Sequence, residues 1–369
     1  MSLTVAKFGG SSVCDAHMFR AVYDIISSGA GRKYIILSAP GKRYGGDEKI
    51  TDLLLRAHAA KPPEDQFIFA QIFQRYSSIR DALCPSFDLE GECDQIFAHL
   101  HASPDFAASR GEYLCAKLFS ACFGIPFIDA KDLLFFDLDG SIDCEKSFRA
   151  IRNTLSKHER AVIPGFYAAS PNGLKTFTRG GSDVSGAWIA AALKADIYEN
   201  WTDVDGVYSA DPVKVTGTVR HGRISFRQMH QLALAGAKVL HPDALLPLKG
   251  RGIDTHIRNT FRPTAPGTII SERFDHYVPA VTGACPVYFN QENMESAVPL
   301  NAAYTQDSMP VGVISVFGAG NTAYAEIVAK YKSIHIIHMP EHIQIITSIP
   351  EYQTTLEDIH RILVKNMDA

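Results

Sequence analysis

The sequence lacks any apolar run of membrane-spanning length, and it lacks an excess of basic residues. Its formal net charge is −4 over 369 residues, so we expect no broad basic surface and predict neither a nucleic-acid partner nor a membrane partner. The start of the chain, Met1-Ser2-Leu3, carries no basic segment and no signal-like apolar stretch, so we expect no leader peptide.

Paired cysteine motifs are also missing. The seven cysteines are scattered, are odd in number and include no C-x-x-C pair, which argues against a disulfide framework and against a zinc site. Reduced thiols fit the cytoplasm, which is the location that we predict. The apolar content of 46% is typical of an ordinary globular protein, and the length of 369 residues allows two domains.

Short apolar runs alternate with longer helical patterns over the first 270 residues. This rhythm predicts the α/β class, with a mainly parallel central sheet covered by helices on both faces, a three-layer αβα sandwich. Ligands of such folds bind beyond the carboxyl ends of the strands. The predicted strands cover residues 3–8, 34–39, 125–129, 161–164, 174–177, 197–202 and 253–258. The predicted helices cover residues 15–28, 183–194 and 225–250, and most of 62–124 with breaks at Cys84-Pro85 and Ser103-Pro104.

The pattern changes near residues 274–279. Strands over 311–317, 333–338 and 343–349, with helices over 323–331 and 355–364, predict a small α+β module of order β-α-β-β-α. We therefore expect a catalytic domain over residues 1–275 and a separate module over residues 276–369.

The segment Lys7-Phe8-Gly9-Gly10-Ser11-Ser12 carries the first chemical signal. A strand that ends in a lysine and a paired-glycine turn places a cation and backbone N–H groups at one point, where phosphate oxygens bind. Two glycines also occur in such turns for steric reasons alone. Phosphate binding by this segment is therefore favoured only if other segments further along the chain supply the rest of a site.

Four further segments could complete a phosphoryl-transfer site, although each has a plain structural alternative. Glycines before a helix could cap it, Asp-Gly loops are common turns, a single lysine is often solvated, and an acid that opens a helix can simply match the helix dipole. The segments are Ser109-Arg110-Gly111-Glu112, which we expect to open a helix, Arg179-Gly180-Gly181-Ser182-Asp183, the loop 201–212 and Gly236-Ala237-Lys238-Val239-Leu240-His241-Pro242.

In this order and spacing, the segments resemble those of aspartate kinases in the amino-acid kinase family, over residues 1–270. The resemblance implies the amino-acid kinase fold and transfer of the γ-phosphoryl group of MgATP to the side-chain carboxylate of L-aspartate. The product is 4-phospho-L-aspartate, at the entry to lysine, threonine, methionine and diaminopimelate synthesis. The chemistry is consistent, because a carboxylate is already ionised at neutral pH and needs no general base.

The resemblance also implies residue roles. Lys7 stabilises the transferring phosphoryl group, and Asp183 orients the groups around it. Arg179 holds the α-carboxylate of aspartate and Glu112 contacts its α-amino group. The remaining acceptor-pocket residues are Ser38, Thr51 and Ser182. The implied nucleotide residues are Lys7, Gly9, Gly10, Ser11, Thr202, Asp203, Tyr208, Lys214, Lys238 and Val239, and no residue is assigned as a metal ligand.

Two features depart from the family pattern. Val213 stands where an arginine is usual, and Lys214 could serve instead, although lysine lacks the planar fork of arginine. The loop over residues 40–49 is longer and more charged than in many relatives, which affects the role of Thr51.

The C-terminal segment offers two rival signals. Gly318-Ala319-Gly320-Asn321-Thr322-Ala323 matches a dinucleotide fingerprint, but too few residues follow it for a cofactor domain. His335, His338 and His342 could hold a metal, but residues 335 and 338 face opposite ways on a strand, so we expect surface or edge-strand histidines.

Several alternatives stay open at this point. The module resembles an ACT regulatory module, so it could bind an amino-acid effector or simply join subunits, and we expect a homodimer or higher homo-oligomer. The chain could be a kinase for another acid such as glutamate, or a silent amino-acid-binding regulator. Intact Lys7, Arg179 and Asp183 argue against a silent protein.

Overall fold

The structure is a computed structural model that describes residues 2–177, 180–289, 309–331, 335–339 and 341–367. The chain divides into two compact units, of which the first comprises Met1–Asp205 with Asp243–Gly267 and the second Gly206–Pro242 with Thr268–Ala369. These units do not follow the boundary expected at residue 275. The division into a catalytic domain and a C-terminal module therefore stays a prediction.

The first unit is built on five parallel strands in the order β3-β2-β1-β6-β8. An antiparallel hairpin, β4-β5, accompanies this sheet. The predicted parallel sheet is confirmed, but the strand predicted at 125–129 is wrong, because only Phe127 forms an isolated bridge there, to Val162. The strands are β1 (Thr4–Phe8), β2 (Arg32–Leu37), β3 (Ala161–Pro164), β4 (Tyr167–Ser170), β5 (Gly173–Thr176), β6 (Ile197–Thr202) and β8 (Asp254–Asn259).

Helices cover both faces of this sheet. Ala6 and Phe8 of β1 point into an apolar cluster formed with the first five helices, while Lys7 points to the opposite face, toward the helix that carries Asp183. The three-layer arrangement is therefore confirmed. The helices of this unit are α1 (Ala16–Ser27), α2 (Ile50–Ala59), α3 (Glu64–Leu83), α4 (Leu89–Ala98), α5 (Pro104–Phe123), α6 (Cys144–Leu155) and α7 (Gly181–Leu193).

One helix start differs from the prediction. Helix α5 begins at Pro104, and the Ser103 hydroxyl caps it by accepting a hydrogen bond from the Phe106 amide at 3.0 Å. Glu112 therefore lies in the middle of α5 and does not open a helix. Because helix-dipole effects are confined to the terminal turns, the dipole explanation of Glu112 is wrong.

The second unit holds a parallel strand pair, β7-β9, and a four-stranded antiparallel sheet of order β10-β11-β13-β12. The predicted β-α-β-β-α order is confirmed, and β10, which precedes it, was not predicted. The elements are β7 (Arg223–Ser225), α8 (Phe226–Leu234), β9 (Thr268–Ser271), β10 (Ala280–Phe289), β11 (Met309–Phe317), α9 (Asn321–Lys330), β12 (His335–His338), β13 (His342–Thr347) and α10 (Ile349–Lys365).

The long helix predicted over residues 225–250 is wrong. Helix α8 ends at Leu234, and Gly236 follows with a φ of 104°, a conformation in which glycine commonly terminates helices. Only two short 3₁₀ turns, Pro242–Ala244 and Leu246–Leu248, occur in the remainder of that range.

The rival signals of the C-terminal segment are resolved by topology. Strand β11 pairs antiparallel with both of its neighbours, whereas a dinucleotide-binding fingerprint requires a parallel strand, so the dinucleotide interpretation is excluded. Strand β12, which carries His335 and His338, lies at the edge of its sheet, as expected, and the hydroxyl of Tyr324 lies 2.7 Å from Nδ1 of His338. His342 belongs to β13, an inner strand of that sheet, and is half-buried, so the expectation of a surface or edge-strand histidine is wrong for it.

Neither a membrane span nor a metal cluster is found among the described residues. No helix there combines the length and the apolar character that a membrane span requires. No three acidic, histidine or cysteine side chains there are grouped so that they could hold a metal ion. The six cysteines whose side chains are described, at positions 14, 84, 93, 115, 122 and 144, are unpaired.

Candidate active site

A nearly buried ion pair lies at the carboxyl end of the central strand. Nζ of Lys7 is 2.6 Å from Oδ1 of Asp183, and the two side chains are only 9% and 13% exposed. Lys7 is the next-to-last residue of β1, and Asp183 lies in the first turn of α7. Because partly buried charges are screened little by salt and water, this pair maintains a strong local field.

Strand β6 fixes the orientation of Asp183. Asn200, which is 1% exposed, donates from Nδ2 to the same Oδ1 atom at 3.0 Å, and the Tyr198 hydroxyl donates to the Asp183 carbonyl at 2.9 Å. Residues 198 and 200 share one face of the strand, and Asn200 is the register partner of Lys7. Sequence reasoning missed Asn200, although an amide inside an otherwise buried strand is a signal that could have identified it.

The glycine turn (residues 9–12) begins beside the Lys7 ammonium. A Cβ atom on Gly9 would lie 3.6 Å from Nζ of Lys7, so the cation and the turn share one place, as the sequence predicts. The Gly9 amide donates to the Trp201 carbonyl at 2.9 Å, which occupies that N–H group within the fold. Gly10 has no room for a side chain, because its Cβ would lie 2.8 Å from the Ala39 carbonyl oxygen.

Glu112 is a buried carboxyl group with one unused oxygen. Its Oε2 atom is buried and has no hydrogen-bond partner among the described residues. Burial raises the pKa of Glu112 to about 8, against the opposing effects of a hydrogen bond from the Ala39 backbone amide and the charges of Arg110 and Lys7. A buried acceptor of this kind is costly unless a ligand satisfies it. Glu112 therefore has the character of a binding group for a cation.

The other predicted acceptor residues are distributed around this centre. Ser38 follows β2, and its amide donates to the Phe8 carbonyl at 3.2 Å, beside the glycine turn. Thr51 is the second residue of α2 and is half-buried. Ser182 is buried in the first turn of α7, where it contacts Gly165. Arg179 lies outside the described residues.

Besides Lys7 and the glycine turn, two predicted nucleotide residues, Thr202 and Asp203, belong to the first unit. Thr202 ends β6, and its hydroxyl donates to Oδ1 of the exposed Asp203 at 3.1 Å. The loop that follows is anchored by Asn259, which donates to Oδ1 of Asp205 at 2.7 Å. The loop start is therefore fixed to the carboxyl end of the sheet.

The remaining predicted nucleotide residues belong to the second unit. Tyr208 is half-buried and forms an isolated bridge to Arg220. Lys214 is exposed, and its Nζ lies 5.9 Å from the ring centre of Tyr352. Lys238 is exposed on a bend after α8, and Val239 is half-buried. Their nucleotide roles stay predictions.

Comparison with known proteins identifies the family. The model of the amino acid kinase family matches residues 2–259. Aspartokinase 3 of Bacillus subtilis is 32% identical over 324 residues, which cover 80% of this chain and 71% of that protein. The chain belongs to the aspartokinases of the amino acid kinase family. The resemblance seen in the sequence is thereby confirmed.

Solved structures support this assignment. The crystal structure of the aspartate kinase of Clostridium acetobutylicum, at 30% identity, matches this aspartokinase with a TM-score of 0.80 and covers 98% of this chain and 100% of that one. E. coli aspartokinase III in complex with aspartate and ADP matches with a TM-score of 0.82 at 20% identity, covering 98% and 100%. At that identity the second match shows the shared fold.

Proposed function

We propose that the Lys7–Asp183 centre transfers the γ-phosphoryl group of ATP to the side-chain carboxylate of L-aspartate, giving 4-phospho-L-aspartate. As an aspartokinase, the chain catalyses the first step of the aspartate pathway. The observation that carries the proposal is the position of the Lys7 ammonium, which Asp183 holds at 2.6 Å beside the glycine turn at the carboxyl end of β1.

The reaction needs alignment and charge compensation more than proton transfer. The attacking carboxylate is already ionised at neutral pH, so no general base is required. Negative charge spreads over the transferring group in the transition state, and the Lys7 ammonium together with the amides of Gly10 and Ser11 would stabilise it. Asp183 keeps the ammonium in place, while Asn200 keeps Asp183 in place. Mg²⁺ enters as part of the substrate MgATP.

Glu112 would recognise the amino group of the acceptor. Its unpaired Oε2 offers a buried acceptor, and the α-ammonium of an amino acid would satisfy it. Arg179 would hold the α-carboxylate through its planar fork, and Ser38, Thr51 and Ser182 would line the pocket. This division of roles places the side-chain carboxylate of the acceptor as the free nucleophile.

The remaining proposals concern the nucleotide, partners and location. Thr202, Asp203, Tyr208, Lys214, Lys238 and Val239 would surround the nucleotide. The C-terminal module would bind an amino-acid effector or join copies of the chain into a homodimer or larger homo-oligomer. The cytoplasm remains the predicted location.

Trapping the acyl phosphate with hydroxylamine tests the proposed function. With MgATP and hydroxylamine, aspartate should give its hydroxamate, and glutamate under the same conditions should give little or none. Hydroxamate from glutamate but not from aspartate would assign the chain a different substrate. No hydroxamate from either acid in a folded preparation would favour the silent regulator.

A further inference from the structure

Arg75 is a buried arginine that lies outside the active centre. Arg75 lies on α3, is 5% exposed and donates three hydrogen bonds to the charged loop (residues 40–49). Its Nη2 donates to the Gly41 carbonyl at 2.7 Å, and its Nη1 donates to Oδ2 of Asp47 at 2.9 Å and to the Glu48 carbonyl at 3.2 Å. Burying a guanidinium group is costly, and apolar residues could fill the same space. Packing alone therefore does not account for it.

The first end of the charged loop touches the glycine turn. The Gly41 amide donates to the Gly10 carbonyl at 2.8 Å. The two backbones are so close that a Cβ on Gly41 would lie 2.7 Å from the carbonyl carbon of Gly10. Gly41 is thus held from both sides, by Arg75 through its carbonyl and by Gly10 through its amide.

The second end of the charged loop leads into α2. Asp47 accepts hydrogen bonds from the Arg43 amide at 3.0 Å and from Nε of Arg43 at 2.8 Å, in addition to the bond from Arg75. The side-chain hydrogen bond from Arg43 is the largest of the effects that hold the pKa of Asp47 well below its ordinary value. Arg75 therefore binds Gly41 and Asp47, the residues on either side of the exposed segment 42–46.

We propose that Arg75 is a positioning residue that holds the glycine turn and both ends of the charged loop in the geometry required for phosphoryl transfer. The inference rests on the proposed function, because Gly10 would contact the phosphates and the loop joins the acceptor residues Ser38 and Thr51. Arg75 acts through Gly41 and Asp47 and does not itself contact a substrate.

Replacing Arg75 should lower kcat while the chain stays folded. In Arg75→Ala the Gly41 carbonyl loses its donor, so the glycine turn can move. Because a misplacement of about 1 Å can cost about 100-fold in rate, we expect kcat to fall by about 10- to 100-fold. Arg75→Lys keeps the charge but cannot reach Gly41, Asp47 and Glu48 with one planar fork, so it should also be impaired.

Chemical rescue distinguishes positioning from general support of the fold. Millimolar methylguanidinium should raise kcat of Arg75→Ala several-fold, because it restores a planar donor at the vacated position. Methylammonium, which has the charge without the fork, should not. Arg56→Ala is the matched control, since Arg56 forms an ion pair with Glu48 of the same loop in which both side chains are exposed. This variant should keep the parental kcat and show no response to methylguanidinium.

The outcomes separate this inference from the proposed function. If the parent protein forms no aspartyl hydroxamate, the proposed function fails. If the parent is active and folded Arg75→Ala keeps the parental kcat, or its loss of kcat is unaffected by methylguanidinium, the positioning role is refuted. Should Arg75→Ala not fold, a folded Arg75→Lys protein with parental kcat would refute it equally.

Discussion

Glu112 carries a carboxyl group whose ionisation the fold opposes. Burial raises its pKa to about 8 from the ordinary 4.5, so much of the free protein holds a proton there at neutral pH. The α-ammonium of aspartate would require the ionised form. Binding of the acceptor should therefore compete with this proton, which makes Glu112 a residue whose role can be read from pH dependence.

We predict that KM for aspartate falls as pH rises from 6 to 8. Below its pKa the ionised fraction of Glu112 changes by about tenfold per pH unit, and KM should follow it in the opposite direction. Glu112→Gln should bind aspartate weakly at every pH and lose this dependence, whereas the exposed Glu90→Gln should keep it. An unchanged KM–pH profile in Glu112→Gln would contradict the assigned role.

Glu112 should also make the free energy of unfolding depend on pH. Because the folded pKa of Glu112 lies above the unfolded one, the native state binds the proton more tightly, and the free energy of unfolding decreases as pH rises between about 4.5 and 8. Glu112→Gln has no such proton to lose. Its melting temperature relative to the parent should therefore be higher at pH 8.5 than at pH 6, as thermal unfolding would show.

At the level of elements, the position of α7 decides where Asp183 lies. Gly180, at a φ of 75°, is the N-cap of α7, and the first turn of the helix packs directly on Gly165, the residue that follows β3. A Cβ on Gly165 would lie 2.7 Å from both Cβ and Oγ of Ser182. The missing side chain at position 165 therefore allows the helix to approach the sheet closely enough for Asp183 to reach Lys7.

We predict that Gly165→Ala displaces the start of α7. Overpacking at such a contact typically costs about 1–3 kcal/mol, and the accompanying shift of Asp183 should reduce kcat by about tenfold or more. Gly222→Ala is the matched control, since a Cβ there would meet no atom within 4 Å. The melting temperature and kcat of both variants provide the test, and a Gly165→Ala protein that equals the parent in both would contradict it.

Elements with strong local signals could be predicted from the sequence. The strands at 161–164 and 197–202 have the predicted bounds, because β-branched or aromatic residues are frequent in both and turn residues follow them. Other elements depend on tertiary contacts that the local sequence does not show. Strand β10 is not apparent in the sequence, because its pairing with β11 is a long-range contact. The prediction of a helix start at residues 109–112 misses the start of α5 at Pro104, because Ser103-Pro104 also fits a break between helical stretches.

The candidate site was predictable where one segment carries its own chemistry. Lys7, the glycine turn and Asp183 stand out in sequence because lysine, paired glycines and an acid at a helix start are distinctive together. Asn200 and Arg75 were not predicted, because their roles depend on which residue the fold places next to them. The local sequence around a buried arginine or amide does not predict which residue it will contact.

At the scale of the whole molecule, two compact units carry the predicted residues. Lys7, Asp183 and Glu112 belong to the first unit, while Tyr208, Lys214 and Lys238 belong to the second. The structural match to the aspartate kinase of Clostridium acetobutylicum, at 30% identity, covers 98% of this chain and therefore includes residues of both units. Phosphoryl transfer to aspartate by the entire protein should therefore depend on the Lys7 ammonium.

The most direct test of this dependence on Lys7 is the rate of aspartyl hydroxamate formation by Lys7→Ala, measured beside the exposed control Lys61→Ala. Removing a preorganised group that stabilises the transition state typically costs about 10²- to 10³-fold in rate. We predict a loss of at least that size for Lys7→Ala with a folded protein by circular dichroism, and a parental rate for Lys61→Ala. A folded Lys7→Ala protein with near-parental kcat would contradict the account.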